Sequence, residues 1–418
     1  MELLKWLYPG MHVKRWILLF LAGITALGLG IAYLLVDLYR QQPLPPIFYY
    51  VTLQFVPRLG RAILFGLVGL SLIAAGLVGL NRSLLAAFPQ IQQQRLVDAV
   101  YRQRARRRGP KIVAIGGGTG LSTLLRGLKE LTDHLTGIVT VADDGGSSGR
   151  LRRDMGVLPP GDFRQCIAAL AEAEPLMSQL LQYRFGNGAL GGHSFGNLFL
   201  VAMSEVSGSF EEGLRQSSRV LAVRGRVVPS TLENVVLSAE LVNQAVVHGE
   251  SQVPHGGAAV RRVFLQPADA RAYPQAVSAI LDADLVVIGP GSLYTSILPN
   301  LLVREIQAAL RAARAPVVYA CNVATQPGET DDYDVADHVI ALIHHVGPGL
   351  IDLVLADSGP PPAFPPSWHA TPVWTDTDHI LDIPVVRQKI RSSERPTRHD
   401  PAELAQVVIA LYEHGIAK

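Results

Sequence analysis

Cysteine is scarce in this chain of 418 residues, which contains only Cys166 and Cys321. The two thiols lie far apart and show no C-x-x-C spacing, so neither a disulfide framework nor a thiolate zinc site is indicated. Charged residues are also few, at 17%, and the net charge of +2 lacks the basic excess that is typical of nucleic-acid binding. The hydrophobic fraction of 49% exceeds that of a usual soluble enzyme, which indicates that part of the chain lies in lipid.

Complete catalytic signatures are missing as well. The P-loop pattern G-x-x-x-x-G-K-[ST] does not occur. The letters G-x-S-x-G of the nucleophile elbow occur at residues 145–149 and 192–196, but neither segment directly follows a short apolar run of the strand type, so nucleophilic catalysis is poorly supported. The histidines of the C-terminal half, His338, His344 and His345, do not have metalloprotease spacing with a neighbouring Glu. The sequence therefore gives no direct indication of a hydrolase.

Two uncharged runs near the N-terminus contain most of the excess apolar residues. They cover residues 16–36 and 62–80, and at 1.5 Å per residue each is long enough to cross a bilayer core of about 30 Å. We therefore expect a membrane hairpin over residues 1–82, with helices at about 16–36 and 62–80. A signal peptide fits the first run less well, because the run is long for an h-region and no small-x-small cleavage site follows it.

Arginines are concentrated after the second run, in residues 82–108. By the positive-inside rule, both ends of the hairpin face the cytoplasm, which predicts a two-pass protein of the inner (plasma) membrane with its main domain in the cytoplasm. Residues 83–109 read as a basic helical linker. Because this linker adjoins the membrane, anionic lipid is a nearer partner for its arginines than nucleic acid.

From residue 110 onward, short apolar runs alternate with amphipathic segments. This alternation predicts a Rossmann-like α/β domain over residues 110–418, with a doubly wound and mostly parallel sheet. The predicted strands lie at 111–115, 137–142, 284–289, 316–322 and 351–357. In such sheets ligands bind beyond the carboxyl ends of the strands, so polar residues at those ends are the best candidates for a site.

A glycine loop follows the first predicted strand and precedes an amphipathic helix. It comprises Gly116, Gly117, Gly118 and Thr119, and its free backbone N–H groups together with the helix dipole favour an anion. The dinucleotide fingerprint G-x-G-x-x-G is broken, because Leu121 stands where its third glycine belongs. The loop therefore predicts phosphate binding and does not specify NAD.

Polar and glycine-rich segments also follow other strands, so several strand ends are expected to converge on one polar cleft. The further candidate ligand-binding residues are Asp143, Asp144, Gly145, Ser147, Ser148, Ser194, Asn197, Gly291, Ser292, Asn322, Thr325 and Gln326. Backbone N–H groups and hydroxyls would bind diphosphate oxygens, and an aspartate would bind a ribose hydroxyl or a divalent ion. We expect Asp162 and Ser194 to be helix N-caps. A Gly/Ser surface turn with a capping Asp is the alternative for residues 143–162.

The order of these motifs resembles the YvcK-like proteins, also called gluconeogenesis factors. The segments "GGGTGLSTLLRGLK", "DDGGSSGRLRRDMGVLPPGDFRQC", "GGHSFGNLFL" and "GPGSLYTSILPNLLV" carry the resemblance, which covers about residues 110–415. The wider superfamily includes the 2-phospho-L-lactate transferases. The segments "DFRQC" and "CNVATQPGETDDYDVAD" depart from the family forms by conservative or loop changes, which leaves fine specificity open.

The resemblance implies a Rossmann-like protein that binds UDP-sugars such as UDP-N-acetylglucosamine and acts in cell shape, the cell envelope and carbon-source adaptation. It implies that Gly116 to Thr119 form the phosphate loop, that Asp143 and Asp144 form an acidic strand end, and that Asn197 and residues 322–326 face the sugar or base. Homo-oligomers and envelope-synthesis proteins are the implied protein partners. A binding regulator is favoured over an enzyme. The alternative is a transferase whose Mg²⁺ is held by Asp144 or Asp162, and the broken fingerprint weakens a third reading, an NAD-dependent enzyme.

Overall fold

A computed structural model describes residues 14–41, 46–86, 103–172, 175–359 and 364–415. The contacts within the chain divide it into two compact units, Met1–Ala105 and Arg106–Lys418. Residues 87–102, which make up most of the predicted basic linker, lie outside the described residues. The helical character of that linker and its contact with lipid therefore stay predictions.

Among the described residues of the first unit are the helices α1 (Lys14–Gln41), α2 (Ile47–Val51) and α3 (Arg58–Ala86). The two uncharged runs fall within α1 and α3, so the prediction that they are helical is confirmed. Within the described ranges, no helix is long and apolar enough to cross a membrane. The predicted two-pass hairpin therefore has no support in the structure, because helix formation by an apolar run does not in itself establish a membrane span.

In the second unit, the described residues form eleven strands, which fall into two sheets. In chain order these are β1 (Ile112–Gly116), β2 (Leu135–Val139), β3 (Arg226–Pro229), β4 (Val236–Leu241), β5 (Val246–His248), β6 (Val260–Gln266), β7 (Leu285–Ile288), β8 (Val317–Ala320), β9 (Leu353–Asp357), β10 (His379–Ile380) and β11 (Ile383–Gln388).

The main sheet has eight strands in the order β10-β11-β9-β8-β7-β1-β2-β3. Neighbouring strands are parallel throughout, except that β10 and β11 are antiparallel. The five predicted strands correspond to β1, β2, β7, β8 and β9, within a few residues at each end. The predicted Rossmann-like, mostly parallel sheet is therefore confirmed.

A smaller antiparallel sheet, in the order β5-β4-β6, was not predicted. Its strands lack the continuous apolar runs that mark the main sheet, and β6 carries the adjacent exposed residues Arg261 and Arg262. The β5–β6 connection contains a short 3₁₀ helix, Glu250–His255. This connection matters for function because it brings Glu250 to the edge of the main sheet.

Eleven further α-helices are present among the described residues of the second unit. They are α4 (Gly118–Leu128), α5 (Gly146–Met155), α6 (Gly161–Leu170), α7 (Pro175–Gln182), α8 (Phe195–Ser207), α9 (Phe210–Val220), α10 (Pro274–Leu281), α11 (Leu298–Leu301), α12 (Arg304–Ala312), α13 (Val335–Val346) and α14 (Pro401–His414). A single π-helical turn, Leu293–Ile297, precedes α11.

Helix α4 shows how the sequence pattern places the first loop. Its stripe of Leu121, Leu124, Leu125 and Leu128 is completely buried, as the 3.6-residue periodicity predicts. Burying this stripe holds the N-terminus of α4 directly beyond the carboxyl end of β1. The glycine loop between the two elements therefore cannot move away from the sheet.

Strand β1 lies between β2 and β7, where the direction of strand order reverses. The chain passes from β1 to β2 and β3 on one side, and from β7 to β8 and β9 on the other. The loops after β1 and β7 therefore diverge and leave a crevice, which is the usual ligand position in doubly wound sheets.

We expect Gly127→Ala to lower the free energy of unfolding by about 1 to 3 kcal/mol through overpacking. Gly127 lies where α4 meets α14, and a Cβ at this position would collide with the Pro401 carbonyl and lie 2.7 Å from the Ala405 Cβ. Urea unfolding of fragment 106–418 measures the change. Gly186→Ala is the matched control, because no atom lies within 4 Å of a Cβ there. An unchanged unfolding midpoint for Gly127→Ala would show that α4 and α14 are not closely packed.

Candidate functional site

A polar cleft of about 550 Å³ occupies the crevice beyond β1 and β7. Its walls come from the glycine loop after β1, the Pro290 to Ser296 segment after β7, and the Asn322 to Pro327 segment after β8. Further walls come from Asp162 on α6 and from Glu250. Three strand ends therefore converge on one cavity, as the sequence pattern predicted.

Gly117 is the tightest point of the glycine loop. A Cβ on this residue would lie 2.5 Å from Asp162 Oδ2, 3.0 Å from Thr140 Cγ2 and 3.3 Å from Ser296 Cβ. The next residue, Gly118, has a φ of 58°, which favours glycine, and its N–H donates to the Asp162 carboxylate. The N-terminus of α4 thus already faces one carboxylate.

The loops after β7 and β8 are joined by a network of amide hydrogen bonds. Asn322 accepts from the Gly291 N–H at 3.2 Å and donates to the Gly291 carbonyl at 2.9 Å. Gln326 Nε2 donates to Ser292 Oγ at 2.6 Å. These contacts fix amide and hydroxyl groups along one wall of the cleft, where they can bind the hydroxyls and carbonyls of a sugar or base.

The facing wall is acidic, and its carboxyl groups hold their protons more tightly than usual. Burial, reinforced by the charge of Asp143, raises the pKa of Asp162 to about 7. Burial and the repulsion of Asp143, Asp162 and Glu329 raise the pKa of Glu250 to about 8. Glu329 lies outside the lining, beside Thr295; burial raises its pKa to about 7, although hydrogen bonds from Thr295 oppose the shift. The pKa of Asp143 is raised as well, chiefly by burial.

Asp144 lies outside the lining of the cleft. Its Oδ1 accepts the Ser251 N–H at 2.8 Å, so the carboxylate anchors the 3₁₀ segment that carries Glu250. Gly145 is the N-cap of α5, and its N–H donates to Asp143 Oδ1 at 2.9 Å. The neighbouring carboxylates therefore have separate surroundings, with Asp143 in the cleft and Asp144 behind it.

Three other candidates, Ser147, Ser194 and Asn197, form a buried network behind the cleft, and a fourth, Ser148, is buried beside Gly161. Ser147 Oγ lies 3.0 Å from His193 Nδ1 and accepts from Asn197 Nδ2 at 3.1 Å. Ser194 is the N-cap of α8, as predicted, and accepts the Asn197 N–H at 3.3 Å. Ser148 accepts the Gly161 N–H at 3.1 Å.

Of the predicted binding residues, the structure brings nine into the cleft lining and places seven outside it. Those in the lining are Gly117, Gly118, Thr119, Asp143, Gly291, Ser292, Asn322, Thr325 and Gln326. Those outside are Gly116 at the end of β1, Asp144, Gly145, Ser147, Ser148, Ser194 and Asn197. Asp162 lines the cleft, but it is not a helix N-cap, because Pro160 precedes α6 in that position.

Several lining residues were missed by the sequence reading, including Glu250, Trp368, Arg398 and His399. Of these residues, only Glu250 could have been predicted from the sequence. It closely follows β5, and recognising the β5–β6 connection would have made it a candidate. Burial lowers the pKa of His399 to about 4, and its Nε2 donates to the Cys321 carbonyl at 3.0 Å. This histidine is therefore a neutral structural group at physiological pH.

The transferase alternative places Mg²⁺ at Asp144 or Asp162. In the part of the chain that the structure describes, no group of three His, Cys, Asp or Glu side chains is arranged to hold a metal ion. Mg²⁺ usually needs only one or two carboxylates when phosphate oxygens complete its shell. The mutual repulsion of Asp143 and Asp162 fits that kind of site, whereas Asp144 is already engaged by the Ser251 N–H.

The stability of the second unit is expected to decrease as pH rises. Glu250 has a pKa raised from 4.5 to about 8 in the folded chain, so the folded state binds this proton more tightly than the unfolded state. Stability is greatest at low pH and is lost as pH rises through the folded pKa. In thermal melts of fragment 106–418, Glu250→Gln should flatten this decline, whereas Glu413→Gln, at an exposed position, should not. Equal slopes in both variants would show that Glu250 ionises normally.

Comparisons with known proteins agree with the resemblance drawn from the motifs. Residues 112–391 match the family model described as 2-phospho-L-lactate transferase CofD. A putative gluconeogenesis factor of Nostoc sp. is 44% identical, over 98% of this chain and 93% of its own length. The gluconeogenesis factor of Bacillus subtilis is 47% identical, over 72% of this chain and 98% of its own length.

A solved structure shares the fold. The crystal structure of a UPF0052 family member from Bacillus halodurans is 42% identical, with a TM-score of 0.68, and the match covers 72% of this chain and 99% of that one. The family match covers more than half of the chain, and the relatives align over nearly their whole length. The chain therefore belongs to the gluconeogenesis factor family, which shares its family model with 2-phospho-L-lactate transferase CofD.

Proposed function

We propose that the cleft binds a UDP-sugar, with UDP-N-acetylglucosamine as the ligand, and that the protein acts as a regulator of the cell envelope, cell shape and carbon-source use. The observation that carries the proposal is the convergence of two glycine loops, after β1 and β7, at the reversal of strand order. The relatives named as gluconeogenesis factors support the regulatory role.

The two sides of the cleft suit the two halves of such a ligand. On the loop side, the backbone N–H groups at the start of α4, beside Gly117, suit diphosphate oxygens, whereas the Gly291 N–H already donates to Asn322 Oδ1. On the amide side, Asn322, Thr325 and Gln326 suit the hydroxyl and carbonyl groups of the sugar or base. The cavity volume of about 550 Å³ lies in the range of small-molecule sites.

Calorimetry with the purified protein tests this proposal. We expect UDP-N-acetylglucosamine to bind more tightly than NAD or GDP, because the broken dinucleotide fingerprint offers no dedicated place for a second nucleoside. Titrations in EDTA and in Mg²⁺ should give similar affinities for a metal-free regulator. Tighter binding of NAD than of any UDP-sugar would overturn the choice of ligand.

A Mg²⁺-dependent transferase is the second candidate function. Asp162 favours it, since it lies beside Asp143 in the cleft lining, and two neighbouring carboxyl groups can hold Mg²⁺ when phosphate oxygens complete its shell. Asp143 and Asp162 would hold the ion, which would supply charge neutralisation to a diphosphate. Mg²⁺-dependent turnover of a nucleotide-activated substrate, lost in Asp162→Asn, would establish this function in place of the regulator.

We also propose that the first unit associates with the inner membrane. Apolar side chains on its helices are exposed, among them Leu27 at 68% and Leu70 at 66%. Such surfaces favour contact with lipid. Extraction of cell membranes with carbonate tests the attachment: retention of the protein in the pellet supports an embedded segment, and release into the supernatant shows that it is peripheral.

A further inference from the structure

A second cavity, of about 490 Å³, adjoins the polar cleft on the far side of Thr119 and Gln165. We call it the arginine pocket, because Arg126, Arg164, Arg395 and Arg398 line it. Glu394 is the single acidic residue in its lining. The pocket is therefore opposite in charge to the acidic wall of the neighbouring cleft.

The positive charge of this pocket is not neutralised by the protein. In the described part of the chain, none of the four guanidinium groups takes part in an ion pair with a carboxylate. Burial lowers the pKa of Arg164 and the nearby charge of Arg184 lowers it further, although the charge of Asp162 opposes these shifts. An arginine remains charged under all ordinary conditions. An anion bound in the pocket would therefore offset both the burial of the Arg164 charge and its repulsion by Arg184.

Arg164 is held in place by the buried network behind the cleft. Its Nε donates to Asn197 Oδ1 at 2.9 Å. Asn197 is itself held by its bond to Ser147 Oγ, which lies beside His193. This bond occupies Nε and leaves the terminal nitrogens of the guanidinium group for a ligand.

The backbone beside Arg164 is shaped to let this side chain pass. A Cβ on Gly196 would lie 2.8 Å from Arg164 Cγ and 2.7 Å from Arg164 Cδ. Because Gly196 has no side chain, the aliphatic part of Arg164 can pack against α8. The guanidinium group is consequently positioned before any ligand arrives, which reduces the ordering cost of binding.

We propose that the arginine pocket binds the phosphate group of a second small molecule, a phosphate monoester, beside the nucleotide-sugar. Several guanidinium groups around one cavity suit a dianion with three free oxygens better than a carboxylate with two. Thr119, Ser122 and Ser392 add hydroxyl groups to the lining. The proposal that the arginine pocket binds an anion does not depend on the nucleotide-sugar. The proposal that this anion lies beside a UDP-sugar rests on the proposed function.

The pocket opens to the polar cleft through residues that line both cavities. These include Thr119, Gln165, Arg398 and His399. Thr119 Oγ1 donates to Gln165 Oε1 at 3.3 Å, so a side-chain hydrogen bond joins two of the residues that the cavities share. A ligand in the arginine pocket can therefore affect the phosphate loop directly.

Calorimetric titration of the full-length protein with glycerol 3-phosphate, inorganic phosphate and acetate tests the proposal. We expect both phosphates to bind and acetate to bind at least about tenfold more weakly, because acetate forms fewer charge-assisted hydrogen bonds. Arg164→Gln should weaken phosphate binding about tenfold or more while leaving UDP-N-acetylglucosamine binding within about twofold. Arg304→Gln is the matched control, since this exposed arginine lies outside the lining of both cavities.

Gly196→Ala provides a second test that leaves every charge in place. The added methyl group would lie 2.5 Å from the Leu181 carbonyl oxygen as well as against the Arg164 stem, so it should displace that stem and reduce phosphate affinity in the same direction as Arg164→Gln. If this variant does not fold, Asn197→Leu, which removes the bond to Arg164 Nε, gives the same readout.

Two outcomes would overturn the inference. Phosphate binding that Arg164→Gln leaves unchanged would place the anion elsewhere. Competition between glycerol 3-phosphate and UDP-N-acetylglucosamine for one site would show that the pocket receives the diphosphate of the nucleotide-sugar and no second molecule. Because each ligand is first titrated alone, a failure of UDP-sugar binding is distinguishable from a failure of phosphate binding.

Discussion

Binding of UDP-N-acetylglucosamine is expected to weaken by about a hundredfold or more in Gly117→Val, because the loss of two hydrogen bonds to a charged group has that effect. A Cβ on Gly117 would lie 2.5 Å from Asp162 Oδ2 and 3.0 Å from Thr140 Cγ2. The larger valine side chain must therefore push the loop away from α6 and β2. The backbone N–H groups at the start of α4 would then no longer face the diphosphate.

The size dependence of the effect is part of this prediction. Gly117→Ala adds only the Cβ and should weaken binding less than Gly117→Val, whereas Gly186→Ala, in open space, should leave the affinity unchanged. Calorimetry gives the affinities, and circular dichroism establishes that each variant is folded. A folded Gly117→Val variant with normal affinity would show that the diphosphate does not lie on this loop.

The affinity for UDP-N-acetylglucosamine in EDTA is expected to fall about thirtyfold between about pH 6 and about pH 8.5, because the competent, protonated fraction of Asp162 decreases over this range. Asp162 has a pKa raised to about 7 and accepts the N–H of Gly118 at the phosphate loop. A rising pH removes its proton and places a negative charge beside the diphosphate. Like charges in a partly desolvated cleft repel, so binding weakens with increasing pH.

The Asp162→Asn variant should lose most of this pH dependence. At high pH it should bind UDP-N-acetylglucosamine with the affinity that the native protein has at low pH. Asp269→Asn, which changes an exposed aspartate outside the cleft, should retain the native profile. The Mg²⁺-dependent transferase predicts the opposite sign, since an ionised Asp162 would then be needed to hold the metal. Affinity that rises with pH in Mg²⁺ and is lost in Asp162→Asn would therefore exclude the metal-free regulator.

The roles of Asp143 and Asp144 illustrate how closely related residues separate in the folded chain. The sequence offered both aspartates as equal candidates at one strand end. In the structure, Asp143 lines the cleft, whereas Asp144 accepts the Ser251 N–H and anchors the segment that carries Glu250. The distinction depends on a partner 107 positions away, and no local pattern contains that information.

The same applies to the motif "GGHSFGNLFL". Its helix N-cap, Ser194, was predictable because capping depends on neighbouring residues. The role of Asn197 was not, because its partners Ser147 and Arg164 come from other helices. Asn197 therefore bears on the arginine pocket through Arg164, and neither Asn197 nor Ser194 lines the polar cleft to which the sequence assigned them.

Local periodicity was sufficient for the buried strands β1, β2, β7, β8 and β9, the leucine stripe of α4 and the glycine loop, since each depends on residues close together in the chain. The family also follows from the sequence, because its motifs are long and occur in a fixed order. The small antiparallel sheet, the acidic wall and the arginine pocket required the tertiary structure. Their residues come from distant segments, and their charge, burial and pKa values arise only when those segments pack together.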